Sequence, residues 1–200
     1  DLFVTENRKP AARIAGLLKT IDTPPTTTAE LATLLGEVLS PAQRERFNAT
    51  GDVDAGYSIP DGRRFRFNIA RQRGLLSVTA RAIPSGAVNL AELGLPPAVA
   101  ALADEPRGLV LVTGATGAGK STTLAALIHA INRSKPAHII TIEDPIEFVH
   151  EDLMSRITQR EVGADTASFS EGLRHALRQS PDVIMLGEIR DAESVMTAVN

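Results

Sequence analysis

The sequence predicts an α/β chain in two parts, a small α+β N-terminal domain followed by an α/β core with a parallel sheet. Three observations carry this. Phe65, Phe67 and Ile69 alternate with Arg64, Arg66 and Asn68, the period of a half-buried antiparallel strand. Gly108–Val112 is short and nearly all apolar, as in a parallel strand covered on both faces. The charge also changes sign along the chain. The first 87 residues carry 12 basic and 9 acidic side chains, and the remainder 9 and 15. Turn chemistry at Ile83-Pro84-Ser85-Gly86 and the pair Pro96-Pro97 mark the same boundary. The expected organisation is residues 1–87, a connector at 88–106 with short helical pieces, and a core at 107–200.

The composition is that of a globular chain. Of 200 residues, 43% are hydrophobic and 22% charged, which argues against disorder and supplies a sizeable core. Cysteine is absent, which excludes disulfides, zinc ribbons and thiol catalysis. A net charge of -3 weighs against a general polyanion binder. No apolar run approaches the roughly 20 residues of a membrane span, so no direct membrane insertion is expected. No charged-then-apolar leader opens the chain, which points to the cytoplasm. The chain starts at Asp1 and stops at Asn200 inside a helical pattern, and reads as a piece of something longer.

In the first part, Leu2–Thr5 and Arg13–Ile21 have strand-like apolar content. Thr28 opens a helix with Leu31, Leu34, Leu35, Val38 and Leu39 at helical spacing. Ser40-Pro41 opens a second, with Ser40 as N-cap and Pro41 at the first helical position. Strands are expected at Val53–Ile59, Arg64–Ala70 and Leu75–Ile83, with a turn at Pro60-Asp61-Gly62.

The second part carries the chemistry. Directly after the apolar run stands Gly114-Ala115-Thr116-Gly117-Ala118-Gly119-Lys120-Ser121, the full G-x-x-x-x-G-K-[ST] pattern. Its glycines let the backbone aim several N–H groups at one point without a Cβ in the way. The following helix, beginning near Lys120, adds unpaired N–H groups and its positive dipole end. Lys120 is a mobile charge for β- and γ-phosphates, and Ser121 offers a hydroxyl to Mg²⁺. The helix Ser121–Arg133 is expected to bury Leu124, Leu127, Ile128 and Ile131.

Two further strands end in acids. His138–Ile142 runs into Glu143-Asp144-Pro145-Ile146-Glu147, and Asp182–Leu186 into Gly187-Glu188-Ile189-Arg190-Asp191. In an open parallel sheet the ligand lies at the strand C-termini, so these carboxylates face phosphates. Glu188 is the candidate for the metal or its water shell, and Glu147 for orienting the attacking water. Glu143 and Asp144 compete at the first cluster, with Asp144 a further metal candidate and one of the group bracing the loop.

Together, residues 114–123 (reaching Thr122 and Thr123), Ile142–Glu147 and Gly187–Asp191 resemble the secretion ATPase superfamily, the second run its "Asp box" and the third its Walker B segment. Gln159-Arg160-Glu161-Val162-Gly163, Leu173–Gln179 and Pro181–Ile184 are similar to the type IV pilus branch, and within it to the twitching-motility, or PilT-like retraction, ATPases. The resemblance implies a PAS-like N-terminal domain and a RecA-like P-loop core. It implies a homo-hexameric ring hydrolysing ATP with Mg²⁺, at the inner membrane through a pilus platform protein. It also implies a "His box" and C-terminal helices beyond Asn200, so the core is expected to be truncated.

In that superfamily, arginines of the N-terminal domain close over the γ-phosphate, and others lie near the nucleotide. Arg66 and Arg81, on paired strands, match the first set, and Arg174 and Arg178, one helical turn apart, the second. A solvated strand face is the plainer account of the first set. His129, His138, His150 and His175 have no metal-ligand spacing and read as structural or surface residues. Competing readings are a pilus-extension or type II secretion ATPase, a RecA-like nucleic-acid translocase, and a nucleotide-binding regulator. The acidic second half, lacking Trp and Tyr, argues against the translocase, and the paired acidic clusters against the regulator.

Overall fold

The computed structural model describes residues 1–83 and 88–189. The Pro84-Ser85-Gly86 turn, Arg190, Asp191 and the helical pattern that runs to Asn200 lie outside the described residues. The chain divides into two compact units, residues 1–84 and 85–200.

The first unit is a six-stranded antiparallel sheet with two helices. Its strands are β1 (Leu2–Thr5), β2 (Ala11–Ile14), β3 (Leu17–Thr20), β4 (Asp52–Ser58), β5 (Arg64–Gln72) and β6 (Leu75–Ile83), in the order β3-β2-β1-β6-β5-β4. Helix α1 (Thr28–Val38) starts at a capping box of Thr27 and Glu30. Helix α2 (Pro41–Thr50) starts at one of Ser40 and Gln43 and stops at Gly51, left-handed at φ 79°. The alternation of β5 puts Phe67 and Ile69 into the core with Leu31, Val38, Phe47, Val53 and Val78. That leaves Arg64, Arg66 and Asn68 on the other sheet face.

The stretch Arg13–Ile21 is not one strand. Ala15 (φ 50°) and Gly16 (φ 81°) break it into the β2–β3 hairpin, a tight turn needing positive φ at both central residues. Arg73 and Gly74 do the same between β5 and β6.

The second unit opens with a 3₁₀ turn at Leu90–Leu93 and helix α3 (Pro97–Ala101). Helix α4 (Lys120–Ser134) follows the glycine-rich loop. Strands β7 (His138–Glu143), β8 (Arg156–Glu161) and β9 (Val183–Leu186) form a parallel sheet in the order β8-β7-β9. Ile139, Ile140, Thr141 and Ile142 of the central strand are all fully buried. Helix α5 (Phe169–Ala176) packs Leu173 and Ala176 on Ile140 and Ile142. Gly172 permits the approach, since a Cβ there would stand 3.1 Å from Ile142 Cγ2.

Three further expectations change. Gly108–Val112 is not a strand: it pairs with no strand among the described residues, and Leu109, Val110 and Leu111 are exposed. An apolar run states a demand for burial, whereas a strand also needs a partner ladder. In α4 the buried residues are Ala125, Ala126, Leu127, Ile128 and Asn132, while Leu124 and Ile131 are half-buried. Arg174 lies in the last turn of α5, but Arg178 stands beyond its end, in a turn where its N–H donates to His175 O (3.1 Å). The two arginines therefore share no helix face.

Candidate nucleotide site

Residues 114–119 form a loop whose shape comes from glycine. Gly114, Gly117 and Gly119 have φ of 154°, 80° and 92°. Gly119 is itself the N-cap of α4, so no side chain caps the helix and its first N–H groups face outward with the positive dipole end. Ala115, Thr116 and Ala118 are exposed along the loop, and Ser121 and Thr122 open the helix. Lys120 folds back, its Nζ donating to Gly114 O and Ala115 O, both at 2.9 Å. These groups suit a polyphosphate: backbone donors, one ammonium and a hydroxyl at a helix start.

The acids gather at the C-terminal edge of the parallel sheet. Asp144 and Glu147 follow β7 and are exposed, and half-buried Glu188 follows its neighbour β9. Gly187 N–H donates to Ile142 O (2.8 Å), which ties the turn before Glu188 to the end of β7. A Cβ on Gly187 would lie 3.4 Å from Glu143 Cα.

Glu143 is of a different kind from its neighbours. It is 6% exposed, and burial pushes its carboxyl above the ordinary glutamate range, against hydrogen bonds from Thr141, the Glu147 amide and Gln159. Thr141 Oγ1 donates to its Oε1 at 2.6 Å, and Glu147 N–H to its Oε2 at 3.2 Å. It braces the loop and leaves Asp144 and Glu147 facing outward. Glu161, 2% exposed and opposite Glu143 on β8, accepts from Ile146 N–H (3.1 Å). Farther along, Asn132 of α4 donates to Glu151 O (2.7 Å) and accepts from Leu153 N–H (3.1 Å) and Ser155 N–H (3.3 Å). Sequence reasoning missed Asn132, and it read Gln159 and Glu161 only as part of a run resembling the pilus branch, not as site supports, because all three act by bonding to loop backbone. For Asn132 the signal was polarity at a position that a helix pattern would bury.

Arg66 and Arg81 are direct cross-strand partners on β5 and β6. Asp54 stands 3.7 Å from Arg66, and Asp1 2.7 Å from Arg81, offsetting the repulsion of facing cations. Among the described residues no three His, Asp or Glu side chains stand close enough to hold a metal ion by themselves. A magnesium ion at Ser121, Asp144 or Glu188 would therefore need phosphate oxygens and water as further ligands. His138 is structural, its ring nitrogens lying 3.0 Å from Gln179 O and 3.1 Å from Thr158 Oγ1. His129 lines a cleft of about 210 Å³ with Asn89, Leu90, Ala126, Ala130 and Arg133, apart from the glycine loop. No helix among the described residues is long and apolar enough to cross a membrane.

Residues 60–200 match the family model described as type II/IV secretion system protein. The chain is 42% identical over 199 residues to the type IV pilus retraction ATPase PilT of Pseudomonas aeruginosa, covering all of this chain and 58% of that protein. It is 43% identical over 190 residues to a twitching motility protein of Neisseria gonorrhoeae, covering 95% of this chain and 51% of that one. A crystal structure of the pilus retraction motor PilT with bound ADP superposes at a TM-score of 0.89 with 44% identity, over 98% of this chain and 58% of that chain. The chain thus spans between half and three-fifths of the length of these relatives.

Proposed function

Because this chain belongs to the type II/IV secretion system protein family, we infer that it is the nucleotide-binding part of an ATP-hydrolysing motor that retracts a type IV pilus. The observation that carries the reading is the loop of residues 114–119, with three glycines at positive φ, Lys120 behind it and an uncapped helix start. Retraction, rather than extension or secretion, is supported by the names of the pilus retraction ATPase and twitching motility relatives.

The residues divide the work. Backbone N–H groups of 114–122 and the Lys120 ammonium hold the phosphates of magnesium ATP. Ser121, Asp144 and Glu188 would supply oxygen ligands to its magnesium or to the water around it. Glu147 orients the attacking water, and neither Glu143 nor Glu161, both buried and bonded to loop amides, competes for that role. Arg66 and Arg81, with Arg174 and Arg178 as lesser candidates, neutralise charge on the transferring phosphoryl group. The intact protein works as a cytoplasmic homo-hexamer against a pilus platform protein at the inner membrane, and binds no nucleic acid.

The test is an ATPase assay beside calorimetry on the intact protein. Lys120→Ala abolishes turnover. Glu188→Ala keeps ATP binding and lowers turnover at least about 100-fold, some 2.7 kcal/mol of transition-state stabilisation. No heat with ATP and magnesium from the folded intact protein overturns the reading. Wild-type turnover in Glu188→Ala removes that residue from the metal. In cells, Lys120→Ala leaves pili that extend and do not shorten.

A further inference from the structure

Gln159 joins the carboxylate that holds Glu147 to the loop that carries it. The residue sits on β8 opposite Thr141 of β7. Its Nε2 donates to Glu143 Oε1 (3.2 Å) and to Phe148 O (2.8 Å), while its Oε1 accepts from His150 N–H (2.8 Å). Thr141 Oγ1 donates to the same Glu143 oxygen. With Oε1 engaged by two donors, the carboxylate turns Oε2 toward the Glu147 amide. The two bonds to Phe148 and His150 lie just beyond Glu147 in the chain. The Glu147 backbone is thus gripped at its own nitrogen and again one and three residues later.

Both Nε2 hydrogens are spent on internal partners, so the amide has no donor left for a phosphate. We propose that Gln159 is a positioning residue: through Glu143 and the backbone of Phe148 and His150, it sets where the Glu147 carboxylate stands. The inference rests on the ATPase reading above and deepens it. In-line attack tolerates little error in the place of the group that orients water, and a displacement of about 1 Å costs about a hundredfold in rate. Glu147 is exposed and draws its precision from its backbone, so the clamp beneath it governs rate and not nucleotide affinity.

The experiment is a double-mutant cycle on the intact protein, with Gln159→Leu and Glu147→Gln. Gln159→Leu lowers kcat about tenfold or more and leaves ATP affinity within about twofold. The double variant is no slower than Glu147→Gln alone, because the clamp acts through that carboxylate. Multiplicative effects, or an unchanged kcat in a folded Gln159→Leu protein, overturn the proposal. Should Gln159→Leu fail to fold, Gln159→Met, which removes the same three bonds at nearly constant shape, takes its place in the cycle, and the same outcomes uphold or overturn the clamp. Amide exchange separates this inference from the ATPase reading. If the wild-type protein binds ATP without hydrolysing it, the motor reading fails. Faster exchange at Glu147 and His150 in Gln159→Leu then still upholds the clamp, and unchanged exchange overturns it.

Discussion

The glycine loop of residues 114–119 and the loop of residues 144–155 obtain their shape by opposite means. The first turns on glycines at positive φ, and the hydrogen bonds described for it are its own, from Ala118 N–H to Ala115 O and from Lys120 to the carbonyls of 114 and 115. The second contains no glycine and is pinned by side chains reaching up from β7, β8 and α4. The difference sorts what each can offer. A loop shaped by backbone torsion keeps its amides for a ligand. A loop whose amides are consumed from below displays its side chains instead, here Asp144 and Glu147.

The largest effect follows from attacking torsion in the first loop. Gly119→Val places a β-branched residue at φ 92°, a conformation such residues essentially never adopt. We expect ATP affinity to fall at least about 100-fold, or about 2.7 kcal/mol, with the fold retained. Titration calorimetry with a circular-dichroism melt checks both, and wild-type affinity would remove torsion as the shaping force. A smaller effect, on stability, follows from cutting a staple in the second loop. Asn132→Leu strands Glu151 O and Leu153 N–H, while Ser155 N–H keeps the backbone carbonyl of residue 132, at a cost of about 1–3 kcal/mol. Its melting temperature drops, and ATP affinity stays within about threefold. A loss of affinity as large as that of Gly119→Val would erase the contrast.

The smallest effect is one of pH. Burial, and then the neighbouring Arg133, lowers the pKa of His129, and burial, and then His129, lowers that of His150. A lowered base is neutral when folded, so the unfolded chain takes up more protons below the usual histidine value of 6.5. This contribution is complete above that pH and is lost as pH falls through it toward the folded values. The buried Glu143 acts in the other sense, favouring the folded state as pH falls. The melting temperature should therefore decline slightly between about pH 7.5 and 5.5, and less so in His150→Gln. An equal decline in that variant would assign the effect elsewhere.

Much of the architecture is legible from residue order. Strand β1, the starts of α1 and α2, the alternation of β5 and the start of α4 all follow from local chemistry. The turn at Ala15-Gly16 hides because alanine is a poor advertisement for positive φ. Strand β8, Arg-Ile-Thr-Gln-Arg-Glu, hides because five of its six side chains serve polar bonds and break the apolar pattern of a parallel strand. Gly108–Val112 misleads in reverse, since pairing depends on distant chain and apolarity does not. At the site, the glycine loop is legible because its spacing is the mechanism. Asn132, Gln159 and Glu161 were not, because backbone amides accept help from any residue that reaches them.

The two carbonyl contacts of Lys120 make it a latch rather than a waiting hook. An incoming anion must outbid both carbonyls before it gains the ammonium, so capture is an exchange whose net reward is small. A lone monovalent anion brings too little charge to win that trade, whereas a chain of phosphates meeting the ammonium and several amides at once does. On the proposed reading, the loop thereby favours long polyanions over abundant small ones, a filter set by where one side chain rests.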